Sequence, residues 1–269
     1  PKRGALSRHE ALPTTPPPVE RGVAIETAVR RRGGRKKTVS LVSDATTQHQ
    51  AALQSWNLNC APTSSSSMLR LLDAEVTGVV VPWMYVGSTY SSFCWHVEDH
   101  FLYSVNYHHW GSPKLWYGVP GEDADKVEDF VRRSMPTLAR STPDLMLRMI
   151  TAISPCALRS AGIRTFRAIQ RPGQFIVTFP RAYHSGFNLG FNCAEAVNFA
   201  PSDWLWWSRA ALDWYRRFHR APVFAHDSLV LGLVRDLLEN KSRFRGFAEG
   251  AGNGRRSVCE MLDALLSEL

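Results

Sequence analysis

Short β-rich segments separated by glycine and proline fill the middle of this chain, and they limit the possible folds more than any other feature. Many short strands with such punctuation are typical of a sandwich or a barrel. The segment Gly78–Gly87 contains Pro82, which restricts it to an edge strand or an irregular strand. The other strands are predicted at about 92–98, 103–108, 114–119, 164–170, 174–179, 183–188 and 194–200.

Helical patterns interrupt these strands once and follow them to the end of the chain. The interruption is predicted at Asp123–Ser134, with a stop at Pro136, and again at Asp144–Ile153. Later helices are predicted at about 202–219 and 227–239. A glycine-rich linker and a capping box then precede an apolar stripe with helical spacing, which would pack on its own domain or bind a partner. The stripe contains Val258, Met261, Leu262, Leu265 and Leu266.

A histidine and a glutamate lie two residues apart within Phe93–Asp99, a segment that alternates apolar and polar residues. On a β-strand, residues i and i+2 point to the same face, so His96 and Glu98 should face one way. Two such ligands and one distant histidine form the facial triad of non-haem iron(II) sites, which leaves coordination positions open. The alternative is a hydrogen-bonded pair near the end of a strand.

The second half of the β region supplies a candidate for the third ligand. His184 lies 88 residues after His96. Alone, it would more often be a core or loop histidine, but beside the first pair it completes two histidines and one carboxylate. His108 and His109 are adjacent and would face opposite ways on a strand. His100 lies two residues after Glu98 and could reach the mouth of the site, but it is more simply interpreted as a group behind the ligands or on the surface.

An oxygenase with such a site needs an anionic co-substrate that chelates the metal. A 2-oxo acid would do so, and its far carboxylate would need a fixed cation and hydrogen-bond donors, because buried charges must be paired. Lys114 lies on a strand-like segment beside aromatic residues, where it either extends to solvent or neutralises an internal anion. Ser104 and Asn106 share one strand face and could donate to the same anion. Phe93 offers an aromatic wall.

The positive charge of the chain is concentrated at its amino-terminal end. The formal net charge is +8, and residues 1–40 carry +7 of it, with 10 Lys+Arg against 3 Asp+Glu. The segment 1–54 is expected to be largely disordered because of its proline, glycine and arginine content. Its run Arg30–Lys37 is interpreted as a nuclear import signal or a nucleic-acid contact, and the alternative is a solvated block of charge.

Cysteine content and hydropathy exclude several classes of protein. The five cysteines are an odd number without a C-x-x-C pair. This argues against a disulfide framework and a self-contained zinc module, and it fits a reducing compartment. No apolar run approaches the roughly 18 residues of a membrane span, and no signal peptide is visible, so no membrane association is expected.

Four motifs occur in order and at compatible spacings. They are FCWHVEDH at 93–100, LYSVNY at 102–107, GSPKLWYGVP at 111–120 and FPRAYHSGFNLGFNCAEAVNF at 179–199. Together they resemble the JmjC-domain histone lysine demethylases, in particular the JARID-type branch and its plant relatives. The resemblance runs from about Trp56 to about Val230.

The resemblance implies a mostly β fold with α elements, namely a double-stranded β-helix of the cupin-like jelly-roll type with a helical insertion and C-terminal helices. Four regions are expected on this basis. They are a basic, largely disordered segment (1–54), a JmjC catalytic core (55–200), a helical extension (201–243), and a linker with a terminal amphipathic helix (244–269).

The resemblance also implies roles for individual residues. Iron(II) would be held by two histidines and a glutamate, 2-oxoglutarate by polar residues with an aromatic wall, and methyl-lysine by a separate channel. The expected metal ligands are His96, Glu98 and His184; the expected 2-oxoglutarate contacts are Ser104, Asn106, Lys114 and Phe93; and Tyr85 and Asn198 are expected to line the channel.

The function implied is that of a nuclear dioxygenase that uses O2, iron(II) and 2-oxoglutarate. It would remove methyl groups from histone lysine, above all lysine 4 of histone three, by hydroxylation and formaldehyde release. Its partners would be a methylated histone tail and, through the basic segment, chromatin or DNA. Two alternatives are a hydroxylase of the same fold acting on protein or RNA, and a catalytically inactive chromatin scaffold. The intact triad with Lys114 favours an enzyme over the scaffold.

The sequence also departs from the family. JmjC demethylases normally carry a JmjN segment packed on the catalytic domain and often a zinc finger after it, and neither is recognised here. Arg21 stands where a weakly similar stretch of the family has a tyrosine that contacts 2-oxoglutarate. Ser88 follows Gly87 where the family has methionine.

Overall fold

The computed structural model of the protein describes residues 56–73, 75–148 and 152–239. The basic segment predicted at 1–54 and the linker and amphipathic helix predicted at 244–269 lie outside this range, as does Arg21. Within the described residues, no helix has the length and apolar character needed to span a membrane.

Two antiparallel sheets of four strands form the centre of the described structure, in the orders β1-β8-β3-β6 and β2-β7-β4-β5. This arrangement with its helices confirms the mostly β, jelly-roll fold class. The Pro82 segment provides an edge strand, as predicted. The strands are β1 (Trp83–Gly87), β2 (Ser92–His96), β3 (Tyr103–Gly111), β4 (Lys114–Gly118), β5 (Phe166–Gln170), β6 (Phe175–Thr178), β7 (His184–Asn188) and β8 (Asn192–Phe199).

The helices lie in the insertion between β4 and β5 and after β8. The first helix ends at Ser134, before Pro136 as predicted, and this proline is the first residue of a second short helix, a position where its missing N–H costs nothing. The helix predicted at Asp144–Ile153 is, in its described part, a 3₁₀ turn at Leu145–Arg148. The helices are α1 (Ala124–Ser134), α2 (Pro136–Ser141), α3 (Pro155–Ser160), α4 (Leu205–Arg217) and α5 (His226–Glu239).

The helical layer packs against strand residues that adjoin the histidines of the predicted triad. Trp95 precedes His96 and Tyr183 precedes His184, and both Trp95 and Tyr183 are buried in a cluster with α1 and α4 side chains. The Trp95 indole N–H also donates to the carbonyl of Ile153 at 2.9 Å. Because neighbouring strand residues face opposite sides, anchoring the tryptophan and the tyrosine in the core directs both histidines away from it.

His100 lies neither at the mouth of a site nor on the surface, so its interpretation from the sequence is wrong. It is 1% exposed, and its ring stacks on Phe224 with a centroid separation of 3.7 Å. Its Nε2 accepts the backbone N–H groups of Val223 and Phe224 at 3.1 and 3.3 Å. Burial lowers the pKa of His100 to about 3. The neutral imidazole therefore joins the turn after β2 to the segment before α5.

The two sheets enclose a cavity of about 510 Å³, a volume in the usual range for ligand sites. One sheet contributes side chains of β1, β3, β6 and β8, and the other contributes side chains of β2, β4 and β7. A second cavity, of about 580 Å³, lies beside α1 and α4 and contains none of the three predicted metal ligands. All three predicted metal ligands line the cavity between the sheets instead.

Candidate metal centre

His96, Glu98 and His184 come together at one end of this cavity, and their ligand atoms all lie within 4.8 Å of one another. His96 ends β2 and is the register partner of His184, the first residue of β7. Glu98 follows two residues after β2 and places Oε1 3.3 Å from His184 Nε2. Strand pairing thus joins two motifs that are far apart in the sequence.

Backbone carbonyls orient both imidazoles. His96 Nδ1 lies 2.8 Å from the carbonyl of Cys94, and His184 Nδ1 lies 2.9 Å from the carbonyl of Ala182. Since a carbonyl only accepts, each Nδ1 carries the proton and each Nε2 keeps its lone pair for a metal. Two neutral imidazoles and one carboxylate are the donor set of a facial iron(II) site, so the residues present fit that ion.

The protonation states also suit metal binding. Burial, together with the nearby His184, lowers the pKa of His96 to about 4. Burial alone would raise the pKa of Glu98, but His184, His96 and a hydrogen bond from Asn198 outweigh it and hold that pKa at about 2. At neutral pH, the neutral imidazole and the ionised carboxylate need lose no proton before they bind a metal.

Asn198 lines the cavity, and it also holds the carboxylate of the triad. Its amide nitrogen donates to Glu98 Oε2 at 2.9 Å and to the carbonyl of Tyr103 at 3.1 Å. The sequence associated this residue with a methyl-lysine channel and gave no indication of its contact with the metal site. The contact fixes the rotamer of Glu98 and leaves Oε1 directed at His184.

Replacing Asn198 with alanine should therefore weaken metal binding without unfolding the protein. Loss of a group that orients a ligand typically lowers metal affinity by about 10–100-fold. Titration of the metal-free protein with Mn(II) or Fe(II) would measure the change. The matched control is Asn59→Ala, at an exposed asparagine that bonds locally to Asn57. Equal affinities for Asn198→Ala and wild type would show that Glu98 needs no support from the amide.

The wall of the cavity also contains a buried cation. Lys114 is 5% exposed, so it does not extend to solvent. Its Nζ donates to Asn188 Oδ1 at 2.5 Å and lies 5.8 Å from the centre of the Phe93 ring. Burial lowers the pKa of Lys114 to about 8. Among the described residues no carboxylate forms an ion pair with this ammonium, so an anionic ligand would be its natural partner.

Gln170 orients a polar wall of the cavity, and it was not identified from the sequence. This fully buried residue donates through Nε2 to Asn106 Oδ1 at 3.0 Å and accepts from Trp116 Nε1 at 2.9 Å. Because the Asn106 oxygen is occupied, its amide N–H groups remain for the cavity. Gln170 on β5 is the register partner of Lys114 on β4. The pairing of these two strands places Gln170 beside the cavity wall, and the local sequence around Gln170 does not indicate it.

Comparison with known proteins agrees with this geometry. Residues 83–199 match the protein-family model described as "JmjC domain, hydroxylase". The chain contains a JmjC domain. Such a hydroxylase domain implies iron(II) as the metal cofactor and 2-oxoglutarate and O2 as co-substrates, and the His-Glu-His cluster fits the metal.

Several curated relatives share this JmjC domain and its surroundings. "Lysine-specific demethylase JMJ703" of Oryza sativa subsp. japonica is 47% identical over 235 residues, which cover 87% of this chain and 19% of the relative. "Putative lysine-specific demethylase JMJ16" of Arabidopsis thaliana is 46% identical over 218 residues (81% and 18%). "Lysine-specific demethylase 5B" of Gallus gallus is 49% identical over 175 residues (65% and 12%). The chain thus spans about a fifth or less of the length of these relatives.

The remaining predicted residues line the cavity of the JmjC domain. Ser104 and Asn106 face it from β3, and Phe93 faces it from β2 with its ring 4.8 Å from that of Trp116. Tyr85 lies on β1 and is 44% exposed. Burial and the nearby Glu98 raise the pKa of Tyr85, so its hydroxyl stays protonated. The structure therefore places all nine predicted site residues on one cavity.

Proposed function

We propose that this JmjC domain is an iron(II)- and 2-oxoglutarate-dependent dioxygenase that demethylates histone lysine. The observation that carries the proposal is a single cavity lined both by the His-Glu-His cluster and by Lys114, a buried ammonium with no carboxylate partner among the described residues. A dianion with one chelating end and one free carboxylate suits such a cavity. A scaffold without activity would gain nothing from burying the lysine.

In the proposed mechanism, bound iron(II) supplies the activation of O2 and the oxidation of the methyl carbon. His96, Glu98 and His184 would hold the ion. Lys114 neutralises the far carboxylate of 2-oxoglutarate. These residues thereby fix the orientation of the co-substrate before any substrate is bound.

The walls of the cavity complete the co-substrate site. Ser104 and Asn106 donate hydrogen bonds to the oxygens of 2-oxoglutarate. Phe93 and Trp116 exclude water from this end of the cavity, and exclusion of water strengthens the electrostatic contacts inside it.

The proposed substrate is a methylated lysine that enters past Tyr85. Trp83 and Tyr85 line the cavity together, with ring centroids 6.4 Å apart. Aromatic faces attract methylated ammonium groups. Hydroxylation of the N-methyl carbon would give an unstable hemiaminal, which releases formaldehyde. The names of the relatives, as lysine-specific demethylases, support this class of substrate.

Among histone lysines, we infer that lysine 4 of histone three is the substrate, from the resemblance to the JARID-type branch. An array of methylated histone peptides, incubated with iron(II) and 2-oxoglutarate, tests both levels. For peptides methylated at lysine 4, we expect the release of formaldehyde. The peptide should lose about 14 Da, the mass of one CH₂ unit, for each methyl group removed. Hydroxylated product without formaldehyde would favour a protein hydroxylase, and no product on any peptide would favour a scaffold.

The basic amino-terminal segment is proposed to bind DNA and to support nuclear localisation. Its positive charge would contact phosphates, and each contact steepens the salt dependence of binding by about one unit of slope. Deleting residues 1–40 should lower DNA affinity and salt slope and leave activity on short peptides intact. Unchanged DNA binding and localisation would leave the segment as solvated charge alone.

A further inference from the structure

The second cavity, beside α1 and α4, has no role in the proposed function. Its volume is about 580 Å³, in the usual range for ligand sites. Its wall is largely apolar, with side chains from α1, from the 3₁₀ turn at Leu145–Arg148 and from the end of α4. These side chains are Val131, Leu145, Met146, Leu147, Trp214 and Phe218. Concave apolar surfaces with polar groups around them are the usual sites for another molecule.

The rim of this cavity is positively charged, because four exposed arginines line it against two acidic residues. Of the acidic residues, Glu128 is buried, and Asp144 is already paired with Arg148 and Arg220, which lie outside the lining. The cavity therefore presents an excess of positive charge to a partner. The four arginines are Arg132, Arg133, Arg140 and Arg217.

Two of these arginines lack an acidic partner. Among the residues that the structure describes, Arg133 and Arg140 form no ion pair, whereas Arg132 pairs with Asp129. All four arginines lie in the last turn of a helix, where a cation interacts favourably with the helix dipole. The dipole accounts for their charge at these positions, but it does not account for the apolar wall between them.

The chain itself contains a segment with complementary properties at 257–268, outside the described residues. Its apolar stripe has helical spacing and contains Val258, Met261, Leu262, Leu265 and Leu266. The charged residues of the segment are all acidic, namely Glu260, Asp263 and Glu268. Apolar side chains with carboxylates beside them match an apolar wall with arginines around it.

The connection to this segment is long enough to reach the cavity. Helix α5 ends at Glu239, and residues 240–256 follow it, with glycine at 246, 250, 252 and 254. A chain of this length spans about 20–25 Å on average and about 55 Å when extended. The latter exceeds the diameter of about 40 Å that is expected for a folded domain of this size. Because a tether gives an effective concentration of about millimolar, weak contacts are sufficient for binding.

We propose that residues 257–268 bind as an amphipathic helix in the cavity beside α1 and α4 of the same chain. The apolar stripe contacts the apolar wall, and the acidic residues pair with the arginines of the rim. The cavity is thus a docking site for the chain's own segment, which decides between the two roles that the sequence left open for the stripe. The inference is independent of the proposed reaction, because it involves neither the metal nor 2-oxoglutarate.

The test measures hydrogen exchange of residues 257–268 by mass spectrometry, on the full chain and at several protein concentrations. The rim variant Arg133→Glu/Arg140→Glu reverses two cations of the cavity. The segment variant Glu260→Arg/Asp263→Arg reverses two carboxylates of the segment. A combined variant with all four substitutions restores opposite signs on the two sides.

The matched control is Arg167→Glu/Arg171→Glu, which makes the same change of charge elsewhere. Both arginines are exposed, on β5 and directly after it, and neither lines a cavity described above. Thermal melting of each variant reports on its fold, and exposed positions were chosen so that the fold persists.

We expect the segment of the wild-type chain to be protected from exchange to the same extent at every protein concentration. The rim variant and the segment variant should each lower this protection about tenfold, because two attractive surface pairs become repulsive. The combined variant should regain most of the protection, and the control should stay within about twofold of wild type by the same reasoning. Recovery in the combined variant is a result that a helix without contact to the cavity would not give.

Three results would overturn the inference. Without protection of residues 257–268 in the wild-type chain, the segment is not bound. With protection that is equal in the rim variant and the wild type, the segment packs elsewhere. With protection that rises with protein concentration, the occupant of the cavity is a second copy of the chain rather than the same one.

Discussion

His96→Ala or Glu98→Ala should abolish turnover, with a loss of more than about a hundredfold, and should lower the iron content of the purified protein. Each substitution removes one of three protein ligands, a larger change than the loss of a supporting group, which already lowers metal affinity about 10–100-fold. The fold should persist, because the core contacts belong to Trp95 and Tyr183 rather than to the ligands themselves. Formaldehyde release and metal analysis measure the two effects.

The matched control for this experiment is His109→Ala. His109 lies on β3, pairs with Glu195 at 2.8 Å and is not among the clustered ligands. It should keep wild-type iron content and activity. A His96→Ala protein with wild-type activity and iron would show that the cluster is not the metal site.

Lys114→Ala should raise the concentration of 2-oxoglutarate needed for half-maximal activity about ten- to a hundredfold. Charge-assisted hydrogen bonds contribute roughly 1.5–3 kcal/mol, which corresponds to this range. We expect an increase in the upper half of this range, because no other lysine or arginine among the described residues lines the cavity. Initial rates across a 2-oxoglutarate series give the value.

Lys126→Ala is the corresponding control, because that lysine has an exposed side chain and lies on α1, outside the cavity. It should leave the 2-oxoglutarate requirement unchanged. If Lys114→Ala also left it unchanged, the far carboxylate would have another partner. The saturating rate should fall much less than the apparent affinity, since Lys114 does not touch the metal ligands.

The parts of the site that follow from local geometry could be predicted from the sequence. The spacing of His96 and Glu98 indicates a shared face because side chains alternate along a strand. The positions of the strands follow from alternation and from glycine and proline, and the edge position of the first strand follows from Pro82. The structure agrees on these points and brings His184 to the same place.

The parts that depend on which distant strands pair could not be predicted in this way. Nothing near Asn198 indicates that its amide reaches Glu98, and nothing near Gln170 indicates that it orients Asn106. Both contacts join one sheet to the other, between residues separated by 64 and 100 positions. The buried position of His100 could not be predicted for a similar reason, since its hydrogen-bond partners Val223 and Phe224 come from a segment far along the chain.

The ammonium of Lys114, which has no carboxylate partner among the described residues, implies a conflict between folding and activity. Burial lowers the pKa of Lys114 in the folded protein to about 8 from its ordinary 10.5, so the unfolded chain binds the proton more tightly. The ligand-free protein should therefore lose stability as the pH falls from 10.5 towards 8, with the full deficit present below that. A Lys114→Met protein should then melt at a higher temperature than the ligand-free wild type, although it needs more 2-oxoglutarate for activity. Selection for thermal robustness alone would remove this lysine, and its retention would signal selection for the reaction.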